Sequence, residues 1–201
     1  IICMCIYVLG EAINIGRTLK ALNEKSSFFN NIKYALIGFF FSGITPAASG
    51  GQPMQIYYMY KDKISVANST LALLINLSSM QVVTISLALI SVAVNHSIMN
   101  TALIWFFVIG ILLNASALTL LIIAIFHKKL LQKLINFVVK VMKKLKIRNV
   151  DKKQEKIENE LNKYQTSSDY IKEHKLVMLK TVMTTYIQFL AFYSVSYWVY
   201  R

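Results

Sequence analysis

The sequence has little of what a catalytic or metal-binding centre requires. Its two cysteines, Cys3 and Cys5, lie in an apolar run, and their spacing matches neither a disulfide framework nor a metal site. The three histidines are far apart in the chain, and no His, Cys or carboxylate cluster has ligand spacing. Gly50-Gly51 lacks the lysine of a phosphate-binding loop. We therefore expect no cofactor, no metal and no catalytic residue in this segment.

Acidic residues are also scarce, and the charges are segregated along the chain. The 201 residues include 9 Asp or Glu against 22 Lys or Arg, and 56% of them are hydrophobic. Residues 127 to 180 hold 15 of the basic and 6 of the acidic side chains, and so most of the net charge of +13. Apolar runs separated by one basic region are typical of a membrane protein.

Four apolar stretches predict membrane-spanning helices, because about 20 apolar residues cross a bilayer. They lie near residues 1–15, where the span is truncated, and at 66–94, 101–126 and 176–200. Position 1 is not Met, so we expect 1–201 to be a fragment of one multi-pass membrane domain, with a basic cytoplasmic loop at 127–175. The predicted fold is all-α, a polytopic helical protein of the cell membrane.

The sequence has only two prolines, and both fall within residues 42–54. Pro46, Gly50-Gly51 and Pro53 interrupt two short apolar arms, 34–41 and 56–60, neither of which is long enough to cross. The preceding residues, 21–33, are predicted to be a polar connection. The pattern predicts a re-entrant broken-helix hairpin at 34–60, which needs cover from protein or a wet cavity.

The distribution of basic residues predicts the orientation of these segments. By the positive-inside rule, Lys25, Lys63 and Lys153 should face the cytoplasm, whereas the uncharged loop at Asn95 should face outside. Both flanks of the hairpin then lie on one side of the membrane, as a re-entrant segment requires.

The basic loop is predicted to be an amphipathic helix over 129–147 that lies on the inner leaflet. Anionic lipids of that leaflet are its expected partners, through Lys133, Lys140, Lys143 and Lys144. Nucleic-acid binding is the other meaning of such a patch, and between two membrane spans we do not expect it. Residues 151–175 are predicted to form a solvated helix that is broken around residues 166–168.

The broken hairpin has two interpretations. A half-helix that begins near Gln52 or Pro53 would point the backbone N–H groups of Gly50, Gly51 and Gln52 into the membrane, where they could bind an anionic group. Alternatively, the Pro and Gly residues only make a tight turn between two packed helices. Glu11 also has two interpretations. An acid within a span is a functional candidate, but the closeness of Glu11 to Arg17 in the sequence favours a solvated interfacial residue.

The motif from Gly43 to Pro53, followed by residues 55–58, resembles the signature of the lysylphosphatidylglycerol synthase transmembrane-region family, also called flippase-like membrane proteins. The resemblance implies a role near a phospholipid headgroup. Many family members carry an arginine in the helix after Gly-Gly, whereas here the strong polar groups are Asn76 and Gln81. The resulting candidate headgroup-binding residues are Thr45, Pro46, Gly50, Gly51, Gln52, Pro53, Asn76 and Gln81.

Two functions are compatible with these observations. The first is a flippase-like protein that binds a phospholipid, aminoacylated or not, and moves it between leaflets. The second is the membrane region of a phosphatidylglycerol lysyltransferase whose catalytic domain lies outside this segment. The length of the complete reading frame separates them. The sequence leaves open whether the chain forms a homo-oligomer.

Overall fold

The computed structural model describes residues 2–94, 101–127 and 150–200, and the regular structure in these ranges is entirely helical. Seven α-helices are described, and a short 3-10 turn at Pro46–Ala48 separates the second from the third. The helices are α1 (Ile2–Ala21), α2 (Phe28–Ile44), α3 (Gly51–Lys61), α4 (Val66–Val94), α5 (Thr101–Phe126), α6 (Val150–Glu173) and α7 (Lys175–Val199). The prediction of an all-α fold is confirmed.

Four helices, α1, α4, α5 and α7, are long and apolar enough to cross a membrane. Three of them match the predicted spans closely, but α1 continues past residue 15 to Ala21. The extension is tolerated because the Arg17 guanidinium donates to Asn14 Oδ1 at 3.1 Å and to the Lys180 carbonyl at 2.7 Å. The charge is thereby held by polar groups of the bundle.

Helix α2 begins earlier than the sequence predicted. Ser27 is its N-cap, and the Ser27 hydroxyl accepts a hydrogen bond from the Asn30 N–H at 3.2 Å. The prediction of a polar connection over 21–33 is therefore wrong for its second half, because an N-cap serine outweighs the polarity of the residues after it. With 17 and 11 residues, α2 and α3 are still shorter than a typical span.

The helix break falls where the prolines predicted it. Helix α2 ends at Ile44, just before Pro46, and α3 begins at Gly51. Between them Ala47 and Ala48 have φ angles of 52° and 55°, in the left-handed region that non-glycine residues rarely adopt. Such residues cost roughly 1–3 kcal/mol each, so packing around the turn must compensate for this strain.

Helix α1 is the element on which the described bundle is built, since it packs against α2, α4 and α7. Its buried face meets both arms of the hairpin and the first half of α4. One buried apolar cluster contains Ile15, Leu19, Tyr34, Met59, Ile64, Ala72 and Leu73. By contrast α5 exposes large apolar side chains along its length, as expected of a helix that faces lipid.

The two ends of the α2–α3 segment lie next to each other. Glu24, which precedes α2, accepts hydrogen bonds from Ser65 and Asn68, which follow α3. The Asn68 Nδ2 to Glu24 Oε1 distance is 2.6 Å. Within the hairpin, Lys33 of α2 forms an ion pair with Asp62, the C-cap of α3. The chain therefore leaves this segment at the end of the bundle where it entered.

Helix α6 corrects the prediction of a solvated, broken helix. It runs without interruption through residues 166–168, because the Ser167 hydroxyl donates to Asn68 Oδ1 and the Ser168 hydroxyl to the Ile125 carbonyl. The Tyr164 hydroxyl donates to the Ala124 carbonyl at 3.0 Å, and burial raises the pKa of Tyr164 to about 12. The helix thus docks on the ends of α4 and α5. The break falls at His174 instead.

Two predicted features lie outside the described residues. These are the amphipathic helix at 129–147, with its four lysines, and the loop that contains Asn95. The predicted orientation of Lys153 also stays a prediction.

Candidate functional site

A cavity of about 160 Å³ lies between α1, the hairpin and α4, and we call it the hairpin cavity. Its walls combine polar side chains with aromatic and aliphatic ones. The lining residues are Tyr7 and Glu11 of α1; Gly38, Phe39 and Ser42 of α2; Gly51, Gln52 and Gln55 of α3; and Leu73, Asn76, Leu77 and Met80 of α4. Helix α1, both arms of the hairpin and α4 therefore all contribute to this one cavity.

Glu11 is the acidic group of the hairpin cavity. Only 8% of its surface is exposed, so the interpretation of Glu11 as a solvated interfacial residue is wrong. That interpretation was based on the short separation of Glu11 and Arg17 in the sequence. In the structure the Arg17 side chain binds Asn14 and a backbone carbonyl of α7 instead. The helix turns the two charged side chains toward different neighbours.

Gln55 links Glu11 to the hairpin. Its Nε2 donates to Glu11 Oε1 at 3.1 Å and to the Tyr34 carbonyl at 3.1 Å. Gly38 makes room for this side chain, since a Cβ at Gly38 would lie 2.4 Å from Gln55 Nε2. The amide thus joins α1, α2 and α3 through one buried side chain, and a larger residue at Gly38 would displace it.

Asn76 connects the cavity wall to a chain of interhelical hydrogen bonds. Asn14 Nδ2 donates to Asn76 Oδ1 at 3.3 Å and to Thr185 Oγ1 at 3.0 Å. Asn14 Oδ1 in turn accepts from Arg17. This chain of hydrogen bonds joins α4, α1 and α7, and such interhelical hydrogen bonds hold membrane helices together where apolar burial cannot.

The turn before the cavity is fixed by Thr45. Its hydroxyl donates to the Phe41 carbonyl at 2.6 Å and accepts from the Gly50 N–H at 2.9 Å. The Gly50 donor is therefore already used inside the turn, contrary to the expectation that it points at a ligand. Pro53 has no N–H, so Gly51 and Gln52 provide the donors of the first turn of α3, where no partner exists within the helix.

Gly51 also has a packing role. A Cβ at Gly51 would lie 2.8 Å from the Gly38 carbonyl oxygen and 2.1 Å from Ser42 Oγ. The glycine therefore allows α3 to approach α2 at the start of the hairpin cavity. At Gly50 the corresponding contact is with the Thr45 methyl group, at 2.5 Å. The interpretation of the Gly pair as a close turn between packed helices is thus supported for both residues.

The structure brings together three of the eight predicted site residues. Gly51, Gln52 and Asn76 line the hairpin cavity, whereas five others are not among its lining residues. These are Thr45, Pro46, Gly50, Pro53 and Gln81. Among the described residues, no hydrogen-bond partner is found for the buried Gln81 Oε1. Positions 76 and 81 lie five residues apart, so a helix places their side chains on different faces.

Four polar residues of the cavity were not among the predicted site residues, namely Tyr7, Glu11, Ser42 and Gln55. Glu11 was noticed, but its burial depends on neighbours that are far away in the chain. Gln55 could have been found, because it lies three residues after Gln52 and hence on the same helical face. Tyr7 gave no signal in the sequence, since one tyrosine in an apolar run is ordinary.

Two acidic residues outside the spans are held in their ionised form. Hydrogen bonds from Lys33 and Tyr34 hold the pKa of Asp62 below its ordinary value. For Glu24, desolvation acts in the opposite direction, but hydrogen bonds from Asn68 and Ser65 and the charge of Lys163 outweigh it and lower the pKa. Both carboxylates close the base of the hairpin. In the described ranges no three His, Cys, Asp or Glu side chains are placed to hold a metal ion.

Comparison with known proteins agrees with the resemblance seen in the motif. The model of the family described as "Lysylphosphatidylglycerol synthase TM region" matches residues 1–201. No curated protein and no solved structure matches the chain significantly. With four helices suited to cross a bilayer and a family match over its full length, this chain belongs to the lysylphosphatidylglycerol synthase transmembrane-region family, and it is a membrane protein associated with membrane lipid.

Proposed function

We propose that the chain forms the lipid-binding part of a flippase-like protein of the cell membrane, which binds a phospholipid headgroup in the hairpin cavity and moves it between leaflets. The observation that carries this proposal is the cavity itself. Polar and ionisable groups inside membrane helices are costly and therefore mark functional sites by default, and here they surround the start of a broken helix.

The phosphate would bind at the first turn of α3. The N–H groups of Gly51 and Gln52 have no partner within the helix, and the helix dipole adds positive potential at the same place. The Gln52 side chain lines the cavity and can add a third donor. Thr45 and Gly50 would act indirectly, since their hydrogen bond shapes the turn that positions these donors.

Alternating exposure of such a site needs a segment that can open on both sides. We propose that α2 and α3 enter and leave the membrane on the cytoplasmic side as a re-entrant hairpin. The adjacency of Glu24 to Ser65 and Asn68 supports this proposal, because it keeps both flanks together. We further propose that Lys133, Lys140, Lys143 and Lys144 bind anionic lipids of the inner leaflet and so fix the orientation.

The second candidate is the membrane region of a phosphatidylglycerol lysyltransferase. The family's description favours it, since that description names a lysylphosphatidylglycerol synthase. In that case the aminoacylated lipid would be made by a soluble domain encoded elsewhere in the reading frame. A complete frame that contains a large polar domain would support this candidate.

The test is headgroup binding and lipid movement by Gln52→Ala in reconstituted vesicles. The substitution keeps a good helix former and removes one cavity donor, so the protein should insert and stay monodisperse. We expect a loss of binding of about 10- to 150-fold, with a matching loss of lipid movement, because a hydrogen bond to a charged group contributes roughly 1.5–3 kcal/mol. The measurement is the exposure of a fluorescent phospholipid to a quencher outside the vesicles.

Ser49→Ala is the matched control. Ser49 lies in the same turn and is exposed, and among the described residues its hydroxyl bonds only to the nearby Pro46 carbonyl, so this variant should move lipid normally. Normal lipid movement by Gln52→Ala would contradict the proposed site. A loss in Gln81→Ala together with a normal Gln52→Ala would place the ligand on the other face of α4.

A further inference from the structure

In the part of the chain that the structure describes, Glu11 is a buried acid without a salt bridge to a cation. Among the described residues its carboxyl group receives one hydrogen bond, to Oε1, and no Lys or Arg forms a salt bridge with it. A carboxylate that is removed from water without a cation is strongly disfavoured relative to its neutral, protonated form, and a neighbouring ammonium group restores the preference for the ionised form. A cavity that keeps such a group at its wall is therefore suited to receive a positive charge from a ligand.

Aromatic rings beside Glu11 favour the same kind of ligand. Tyr7 and Phe39 line the hairpin cavity, and their ring centroids are 5.4 Å apart. Aromatic faces attract alkylammonium groups, and more strongly so in a desolvated site. Carboxylate and aromatic rings together form the usual recognition elements for an ammonium group, on the α1 and α2 side of the cavity.

The opposite side of the cavity offers donors to an anion. Gly51 and Gln52 belong to the first turn of α3 and line the same space as Glu11. The hairpin cavity therefore has a positive pole and a negative pole. A ligand that satisfies both must carry a phosphate and an ammonium group close together.

The size of the cavity limits the ligand further. Its volume of about 160 Å³ is smaller than the roughly 300–1,000 Å³ of pockets that hold drug-sized ligands. Ethanolamine phosphate is a compact group of this scale. A lysyl-glycerol phosphate headgroup is much larger and has a long flexible arm.

We infer that the hairpin cavity selects a small zwitterionic headgroup of the ethanolamine phosphate type, with Glu11 binding the ammonium group and the start of α3 binding the phosphate. This inference rests on the proposed function, because it names the lipid class that the same site takes. Glu11 is then the residue that determines specificity, and phosphatidylglycerol, which lacks the ammonium group, binds more weakly.

The experiment is a lipid competition on the purified full-length chain in detergent, read as bound lipid by native mass spectrometry. The probes are short-chain phosphatidylethanolamine, phosphatidylglycerol and lysylphosphatidylglycerol, together with water-soluble phosphoethanolamine. We expect phosphatidylethanolamine to bind about tenfold more tightly than each of the other three. Glu11→Gln should remove this preference over phosphatidylglycerol by weakening the binding of phosphatidylethanolamine.

Two controls separate recognition from folding. Glu11→Gln keeps an oxygen that can accept the hydrogen bond from Gln55, and its thermal unfolding should match the wild type. Glu173→Gln makes the same change at an exposed position on α6, far along the chain from the cavity, and should keep the full preference. A lowered preference in Glu173→Gln would mean that overall charge selects the lipid, which overturns the role of Glu11.

The remaining outcomes of the competition experiment also test the inference. Equal binding of phosphatidylethanolamine and phosphatidylglycerol by the wild type overturns the inference and leaves the proposed phospholipid site standing. Lysylphosphatidylglycerol binding as tightly as phosphatidylethanolamine overturns the limit on size. Phosphoethanolamine competing as well as the lipid overturns the assignment to a lipid headgroup. Binding of no phospholipid at all contradicts the proposed function itself.

Discussion

Replacing Gly51 with alanine tests the close approach of the two hairpin arms. An alanine Cβ would lie 2.8 Å from the Gly38 carbonyl oxygen and 2.1 Å from Ser42 Oγ. The serine can rotate away, but the carbonyl belongs to the α2 backbone, so α3 must shift. Overpacking of this kind costs about 1–3 kcal/mol.

For a chain of this length, each kcal/mol corresponds to roughly 2–4 °C in the unfolding midpoint. We therefore expect Gly51→Ala to unfold about 2–12 °C below the wild type in detergent. The assay is thermal unfolding followed by tryptophan fluorescence and by loss of the monodisperse peak in size-exclusion chromatography. Adding Ser42→Ala should recover part of the loss, because it removes only the contact with the hydroxyl group.

Gly43→Ala is the matched control within the same segment. No atom lies within 4 Å of a Cβ at Gly43, and this residue is inside α2. Alanine is the better helix former by about 0.5–1 kcal/mol, so Gly43→Ala should be neutral or slightly stabilising. Equal midpoints for Gly51→Ala and the wild type would refute the reasoning, as would an equal loss in the two alanine variants.

The remaining predictions concern the base of the hairpin and the docked helix. The pKa of Glu24 is lower in the folded state than its ordinary value of 4.5, so its stabilisation is present above that value and is lost as the pH falls through the folded pKa. Glu24→Gln should therefore weaken the dependence of the unfolding midpoint on pH below about 5, and an unchanged pH profile would contradict this. Tyr164→Phe should cost about 1 kcal/mol in thermal unfolding through the lost bond to the Ala124 carbonyl, while an unchanged midpoint would mean that α6 does not dock there. After both native cysteines are replaced by serine, single cysteines at Lys25 and Lys63 should resist an impermeant reagent applied from outside, and strong labelling of either would make 34–60 a true crossing.

Much of the membrane architecture could be predicted because the bilayer imposes it locally. Span length and apolar character depend on the residues of the span alone, so α4, α5 and α7 were located within a residue or two. The break before Pro46 was predictable for the same reason, since proline acts on its own helix. The start of α2 was not, because one N-cap serine outweighed a polar stretch.

The residues of the hairpin cavity likewise include some that the sequence predicted and some that it did not. Gly51 and Gln52 follow a local signal, a glycine pair at the start of a half-helix, and the sequence itself pointed to them. The burial of Glu11 depends on Gln55, which lies 44 residues away in the chain. Likewise Thr45 acts on the turn and Gln81 faces away from the cavity, and neither fact can be inferred from residue type.

The sequence by itself determined that this protein is helical, that it lies in a membrane, that its second apolar segment is broken and that most of its net positive charge falls within residues 127–180. Each of these properties follows from local chemistry, namely span length, proline geometry and the cost of charge in lipid. Only the tertiary structure decided that Glu11 faces a cavity with the start of α3, and that Glu24 joins both flanks of the hairpin. Those contacts form between helices that are distant in the chain, and their energies come from packing and hydrogen bonds that exist only after the helices have associated.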